Sequence, residues 1–129
     1  MKTHTDYEQS MNLAKFLHTD KADMYWLIKY GKPVKAYLDV GKFPIDAKGS
    51  YWPCWSLSAL FSILPDIAYG AGCSWEIHRF QNVNKDTEKD QYYISGHDMW
   101  DHEIIGPYHD DPVDACVNMI ISLHEKNYL

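Results

Sequence analysis

The chain has 129 residues, 46% of them apolar and 23% charged, which is the composition of one folded domain spanning residues 1–129. No apolar run approaches the roughly 18 residues that a membrane helix needs, so we expect no membrane-spanning segment. The net charge of −6 is uneven: up to Leu64 there are 8 lysines and 6 acidic residues, whereas from Pro65 onward 12 acidic residues face 4 basic ones. This acidic balance, with a single arginine, predicts no nucleic-acid partner.

The first half of the chain is predicted to begin with a helix and a β-hairpin. Thr5 and Glu8 have the spacing of a capping box, and apolar side chains follow at helical intervals, which predicts a helix over about residues 6–17. Residues 24–30 are aromatic and β-favouring, and residues 34–40 alternate apolar and polar side chains, so we expect two strands joined by a short turn. The side chains expected to face the core from the second strand are Val34, Ala36, Leu38 and Val40.

The middle and the end of the chain each contain a clear helix signal. Residues 41–53 hold two glycines and two prolines and are predicted to be loop. Ser56 has the position of an N-cap for a helix over about residues 57–64. Asp111 is predicted to cap a further helix, over about residues 112–126, whose first residue is a proline. The side chains predicted to fill the core from these two helices are Leu57, Leu60, Phe61, Leu64, Val113, Val117 and Ile120.

Further strands are predicted between these two helices, over residues 73–80, 91–95 and 99–105. No repeat, linker or second domain interrupts this order of elements. The predicted fold class is therefore α+β, with one antiparallel sheet of about four to five strands and the three helices packed on it in two layers.

The cysteines and the N-terminal residues predict a reducing, cytoplasmic environment. Cys54, Cys73 and Cys116 are far apart and form no CxxC pair, so neither a zinc knuckle nor a disulfide scaffold is expected. The N-terminal segment has no apolar core of the kind found in a secretory signal.

Two stretches of the chain are similar to a known group of proteins. They are residues 55–65, Trp-Ser-Leu-Ser-Ala-Leu-Phe-Ser-Ile-Leu-Pro, and residues 111–115, Asp-Pro-Val-Asp-Ala, where the last predicted helix begins. In these stretches the chain resembles a group of small proteins from gut anaerobic bacteria and from their phages and mobile elements, a group with no established activity. The resemblance implies a cytoplasmic accessory protein connected with a phage or mobile element, and it implies no reaction.

The densest group of chemically active side chains lies in residues 97–111. Imidazole and carboxylate ligands suit zinc, manganese or non-haem iron, and the candidate ligands are His97, Asp98, His102, His109 and Asp110. Alternation along a strand places neighbouring residues on opposite faces, which disfavours a compact metal site, so an acidic loop and edge strand is the favoured interpretation. The same segment supplies the candidate interaction residues, which are Trp100, Asp101, Glu103 and Tyr108.

Cys54 is the candidate nucleophile, because it precedes a predicted helix. A thiol at a helix N-terminus can have a lowered pKa and can pair with a histidine, as in papain-like hydrolases. His78 and His97 are the candidate partners, and no local pattern selects either of them. Ser56, rather than Cys54, has the position of the helix cap, so a half-buried loop cysteine is the favoured interpretation.

These observations do not identify an activity. We expect a small acidic accessory protein that is not an enzyme and that binds another protein, because 15% of the residues are aromatic and such side chains are enriched at interfaces. The alternative is a small hydrolase that uses a metal site at His97, His102 and His109 or a pair formed by Cys54 and a histidine. No cofactor and no membrane partner are expected, and the oligomeric state is left open.

Overall fold

The computed structural model of the protein describes residues 1–38, 51–64, 75–80, 90–97 and 102–126. Its helices are α1 (Tyr7–Leu13), α2 (Leu57–Ile63) and α3 (Pro112–Glu125), with a short 3-10 turn at Thr19–Lys21. Its strands are β1 (Met24–Lys29), β2 (Lys32–Leu38), β3 (Tyr51–Cys54), β4 (Glu76–Phe80), β5 (Gln91–His97) and β6 (Glu103–Ile105). This mixture confirms the α+β class. No helix in these ranges has both the length and the apolar character needed to cross a lipid bilayer.

The described strands form two three-stranded antiparallel sheets, with the orders β2-β1-β3 and β4-β5-β6. The prediction of one sheet with about four to five strands is therefore wrong. The strand that the prediction missed is β3, which lies in the stretch assigned to loop because of its prolines and glycines. Pro53 is compatible with this position because β3 is an edge strand, where an N–H that faces away from the neighbouring strand forms no ladder hydrogen bond.

The helix boundaries follow local capping interactions. The ends of α2 and α3 agree with the predicted ranges 57–64 and 112–126 within one residue, whereas α1 ends at Leu13, earlier than the predicted residue 17. Ser56 Oγ accepts a hydrogen bond from Ala59 N at 3.1 Å, which confirms the predicted cap of α2. The capping box of α1 begins at Asp6 instead of Thr5 and pairs it with Gln9, at 2.8 and 3.0 Å.

Thr5 is buried and joins α1 to the segment between β3 and α2. Its Oγ1 accepts a hydrogen bond from Trp55 N at 3.1 Å and is 2.7 Å from Ser10 Oγ, and its backbone N–H donates to Trp55 O at 2.9 Å. These bonds occupy the hydroxyl that the sequence pattern assigned to a helix cap. The cap therefore moves to the next residue with a suitable side chain.

The core lies where α3 packs against α2 and against β5. Of the predicted core residues, Leu60, Leu64, Val113, Val117 and Ile120 are buried, whereas Leu57 and Phe61 are only half-buried. Other fully or almost fully buried members are Leu13, Trp55, Ile94, Cys116 and Leu123. The stripe of apolar residues along each helix therefore identified the inward face.

The strand predicted at residues 34–40 does not supply a core layer. In β2, Val34 is 56% exposed and Leu38 is 66% exposed, and only Ala36 is half-buried. Val40 lies outside the described residues. Alternation reports which side chains share a face, but it does not report whether another element covers that face.

Candidate interaction surfaces

The described residues of the predicted segment 97–111 extend from the end of the central strand β5, through the edge strand β6, to the N-terminus of α3. His97 ends β5 and lies opposite Glu103 in β6, so these two side chains share a face. His102 is exposed immediately before β6. Three of the predicted residues lie outside the described part of the chain, and they are Asp98, Trp100 and Asp101.

His109 is held by its backbone against Tyr92, which lies five residues before His97 in β5. Its N–H donates to Tyr92 O at 2.8 Å and its carbonyl accepts from Tyr92 N at 2.7 Å, while its ring Nε2 is 3.0 Å from Asn118 Nδ2. Asp110 is exposed, and Asp111 caps α3.

Within the described ranges, no three His, Cys, Asp or Glu side chains are grouped so that they could hold a metal ion. The described geometry thus lends no support to the metal-dependent alternative.

Cys54 lies in an environment that suppresses thiol reactivity. Its side chain is fully buried, and its sulfur is 3.5 Å from both the hydroxyl and the carbonyl oxygen of Thr5. Burial raises the pKa of the Cys54 thiol, although hydrogen bonds from Thr5 and Ser10 oppose that shift. A nucleophilic cysteine needs a lowered pKa and access to solvent, and Cys54 has neither.

His78, one candidate partner of Cys54, instead bonds to Ser95 in the second sheet. The distance between His78 Nε2 and Ser95 Oγ is 2.7 Å, and Glu76 Oε2 lies 3.4 Å from the same ring nitrogen. A catalytic triad requires the carboxylate at the opposite nitrogen, Nδ1, where it orients the ring. The serine and the glutamate share one nitrogen here, so this group of side chains does not have the geometry of a triad.

The outer face of the second sheet carries a connected aromatic cluster. The ring of His78 stacks on Tyr93 with 4.5 Å between centroids, Tyr93 contacts Tyr108 at 5.1 Å, and Tyr108 contacts Phe80 at 5.8 Å. Ile105 lies on this face because it is opposite Ser95, two residues along β5 from Tyr93. We call these five residues the aromatic patch.

Three of the five side chains in the aromatic patch are exposed to solvent, and His78 and Tyr93 are half-buried. Phe80 is 49% exposed, Tyr108 is 55% exposed and Ile105 is 60% exposed. The opposite face of the same sheet contributes Ile94 to the core beneath α3, so the two faces of the sheet differ in role. Tyr108 is a predicted interaction residue, whereas Phe80 and Tyr93 gave no sequence signal beyond their membership of predicted strands.

The first sheet has a second unusual face, which its register defines. Lys29, Leu27 and Tyr25 alternate along β1 and so point to one side. Their partners across β2 are Lys32, Lys35 and Tyr37, respectively. Because Leu27 is opposite Lys35 while Ile28 is opposite Pro33, Val34 is an extra residue in β2, a bulge that brings Lys32 onto the same side as Lys35. Together with Tyr51, which is opposite Leu27 in β3, these residues form what we call the hairpin face.

The tyrosines of the hairpin face contact one another. Tyr25 stacks on Tyr37 with 5.7 Å between centroids and meets Tyr51 edge-on at 5.1 Å. Lys35 Nζ lies 5.2 Å from the centroid of the Tyr37 ring, within the range of a cation–π contact. Lys29 and Lys32 therefore lie at the turn end of the hairpin face, Tyr25 and Tyr37 lie at its far end, and Lys35 contacts Tyr37 between them.

The turn that joins β1 to β2 presents a tyrosine at its tip. Tyr30 has a φ of 52° and Gly31 a φ of 72°, the positive values that a type I′ hairpin turn requires at both positions. Asparagine or glycine adopts this conformation readily, whereas another L-residue pays roughly 1 kcal/mol. The Tyr30 side chain is fully exposed and lies between Lys29 and Lys32 in the sequence.

Exposed apolar side chains concentrate on these two sheets. Of the 10 large apolar residues that are exposed in the described ranges, 4 belong to the β1–β2 hairpin and 4 to β4, β6 and the residues after β6. The exposed members on the two surfaces are Tyr37 on the hairpin face, and Phe80, Ile105 and Tyr108 in the aromatic patch, so each surface has the character of a contact region. Comparison with protein-family models, with curated proteins and with solved structures returns no match for this chain. The function must be argued from these surfaces.

Proposed function

We propose that this chain is a small acidic accessory protein that is not an enzyme and that binds another protein through the aromatic patch. The observation that supports the proposal is the connected, half-exposed cluster of Phe80, Tyr93 and Tyr108 beside Ile105. Burial of such rings is a large source of affinity, since each removes about 150–250 Å² from water. The exposed parts of the patch amount to on the order of 300 Å², which is the size of a functional apolar patch on a small protein.

The charge around the patch selects the chemistry of the partner. Glu76 and Glu103 are exposed at its borders, and the chain from Pro65 onward has 12 acidic residues against 4 basic ones. A matching surface has an apolar centre and a rim of lysine and arginine. The proposed partner is therefore a protein with a basic, apolar contact region, met in the cytoplasm where the chain's thiols stay reduced.

The described residues offer no competing catalytic centre. Cys54 is buried with a raised pKa, and the group formed by His78, Ser95 and Glu76 lacks the arrangement that activates a serine. His78 contributes instead to the aromatic patch by stacking on Tyr93. This arrangement favours binding over hydrolysis.

The test is site-specific cross-linking in the source cells. A benzophenone amino acid replaces Tyr108 in one version of the chain and Met11, which is exposed outside the patch, in a matched control version. We expect one protein of defined mass to be cross-linked from position 108 and not from position 11. The substitution Ile105→Glu in the same chain should abolish this product, because it places a charge within the apolar contact.

Three results would refute this proposal. They are the absence of a product from position 108, the same product from both positions, and a product that consists only of two copies of this chain. Ile105 is 60% exposed, so Ile105→Glu leaves the core intact, and a circular-dichroism spectrum checks that the variant is folded. Phe80→Ala should weaken binding of the purified partner by about tenfold or more, because it removes an exposed ring from the contact.

A further inference from the structure

The hairpin face points to a second kind of partner, independent of the aromatic patch. It combines three lysines with three tyrosines on one side of the first sheet and includes no acidic side chain. We propose that the hairpin face, together with Tyr30 at the tip of the turn, binds single-stranded nucleic acid without sequence preference. Lysines that follow a phosphate backbone and aromatic rings on which bases stack are the two components of such sites.

The first argument is the electrostatic arrangement of the lysines. Lys29 and Lys32 lie directly opposite each other, and like charges in that position destabilise a strand pair. No carboxylate in the described part of the chain forms a salt bridge with Lys29, Lys32 or Lys35. A bound phosphate chain relieves this repulsion, because each phosphate places a negative charge between neighbouring ammonium groups.

The bulge at Val34 is the second argument. Lys32 and Lys35 are three residues apart, and strict alternation would place them on opposite sides of the strand. The extra residue restores both to the side that carries Lys29 and Tyr37. Bulges of this kind redirect side chains at functional surfaces, and this one assembles all three lysines of the hairpin on a single face.

Tyr30 supplies the third argument. A tyrosine with positive φ is less stable than asparagine at the same place, and its fully exposed ring makes no compensating contact through burial. A strained, exposed aromatic residue between two lysines is costly for folding and useful for stacking on a base. Tyr37 adds a second, partly exposed ring further along the hairpin.

The same features argue against other anionic partners. An acidic peptide would most readily bind by adding a strand to the outer edge of β2. Pro33 lacks the N–H that a ladder of backbone hydrogen bonds needs, and lysines on an edge strand oppose strand addition. A sequence-specific duplex reader relies on arginine, and the only arginine, Arg79, is paired with Asp90 in the second sheet. A single strand that offers both bases and phosphates uses every component of the hairpin face.

This proposal departs from the expectation drawn from the overall charge. The net charge is −6, yet residues 24–38 contain three lysines and no acidic residue. Electrostatic interactions between exposed groups are screened beyond about 8 Å at physiological ionic strength. A phosphate at the hairpin face therefore experiences the local lysines far more strongly than the acidic second half of the chain.

The test is a fluorescence-anisotropy titration of a labelled oligothymidylate of about 15 nucleotides with the full chain. Three phosphate contacts predict a slope of about −2 for the logarithm of affinity against the logarithm of salt concentration. Raising the salt from about 50 to about 200 mM should therefore weaken binding about 20-fold. In a competition experiment, a polyglutamate peptide with the same charge as the oligonucleotide represents an acidic protein partner, and its ability to displace the labelled strand is measured.

Matched variants separate the hairpin face from general charge effects. The triple variant Lys29→Gln, Lys32→Gln and Lys35→Gln should lose most binding and most of the salt dependence. The control triple variant replaces three exposed lysines elsewhere, Lys15, Lys21 and Lys126, by glutamine, and it changes the net charge equally while keeping affinity within about twofold.

Tyr30→Asn distinguishes a binding role from a structural one. Asparagine suits the turn, so this variant should be at least as stable as the wild type and yet bind the oligonucleotide about tenfold more weakly. Tyr108→Ala, an exposed tyrosine of the other sheet, should leave oligonucleotide affinity unchanged. Four results would each overturn the proposal. Two concern the variants: an equal loss of oligonucleotide affinity in both triple lysine variants, or unchanged affinity in Tyr30→Asn. Two concern the wild type: stronger displacement of the labelled strand by polyglutamate than by unlabelled oligothymidylate, or no binding at low salt.

Discussion

Lys2 Nζ lies 2.8 Å from Asp114 Oδ1, so the beginning of the chain is bonded to the first turn of α3. Gln9 Nε2 donates to the same oxygen at 2.7 Å, and the backbone N–H of Lys2 donates to Asp111 Oδ2 at 2.6 Å. These contacts join α1 and the N-terminal segment to the helix on which the core is built.

The Asp114 carboxylate predicts a specific acid dependence of stability. Burial alone would raise the pKa of Asp114, but hydrogen bonds from Lys2 and Gln9 outweigh it and lower the pKa. A lowered pKa in the folded state adds stability above the unfolded pKa of about 3.9, and this stability is lost as the pH falls through the folded value. Asp114→Asn should cost up to about 1 kcal/mol at pH 7, since the pair is partly exposed, and almost nothing in strong acid.

Urea denaturation of the wild type and of Asp114→Asn at neutral and at acidic pH measures this difference. Asp20→Asn is the control, because Asp20 is an exposed carboxylate with no salt bridge to a described residue. A stability gap of the same size at both pH values would show that charge at Asp114 does not contribute.

Asp111 should be the most sensitive capping residue. It is almost fully buried, and its two oxygens accept hydrogen bonds from Val113 N at 2.8 Å and from Lys2 N at 2.6 Å. Asp111→Ala should lower the free energy of unfolding by about 1–2 kcal/mol, because two backbone donors lose their acceptor. Asp110→Ala, at the exposed neighbouring position, should change it by less than about 0.5 kcal/mol. Thermal denaturation of both variants makes the comparison, and similar midpoints would contradict it.

Gly96 is predicted to tolerate no side chain. A Cβ at this position would lie 2.5–2.7 Å from ring atoms of Trp75, so the indole would have to move. Gly96→Ala should therefore destabilise the protein by about 1–3 kcal/mol. Gly106→Ala should cost less, because its Cβ would meet the flexible end of Met119 at 3.0 Å. Chemical denaturation ranks the two variants, and a larger cost for Gly106→Ala would refute the role assigned to the Trp75 contact.

The buried cysteines should not react in the native protein. Burial raises the pKa of Cys116 to about 12 and also raises that of Cys54, so at pH 8 the thiolate is a minor species at both. In a Cys73→Ser variant, a thiol reagent should modify neither residue under native conditions and both in urea. Rapid native labelling of Cys54 would revive the hydrolase interpretation that its burial disfavours.

For the hairpin face, the sequence predicted part of the local structure but not which side chains share a face. Alternation at residues 34–40 correctly indicated a strand as far as Leu38, where the described residues end. The inward assignment of Val34 and Leu38 was wrong, because both side chains are exposed. The alternation of side chains in the sequence does not predict a bulge. Without the bulge, Lys32 and Lys35 would lie on opposite faces of the strand. The observable sequence signal was the absence of acidic residues between positions 24 and 38.

The aromatic patch was likewise predicted only in part from the sequence. Tyr108 was selected from the segment 97–111, but its contacts with Phe80 and Tyr93 bring together residues from three parts of the chain. Their proximity depends on the pairing of β4 with β5 and on the path of the chain after β6. Pairing partners are chosen by packing across the whole domain, so one strand's sequence does not reveal them.

By itself, the sequence determined the features whose causes lie within a few residues. Ser56 and Asp111 cap helices because their side chains reach backbone N–H groups two or three residues away, and the apolar stripes of α2 and α3 mark the buried faces. Only the tertiary structure decided the division into two sheets, the burial of Thr5 and Cys54, and the gathering of three lysines on one face. The first two features depend on contacts between residues far apart in the chain, which local hydrogen-bonding and hydrophobic patterns do not specify. The third depends on a bulge in the β1–β2 pairing, which the alternation of side chains in the sequence does not specify.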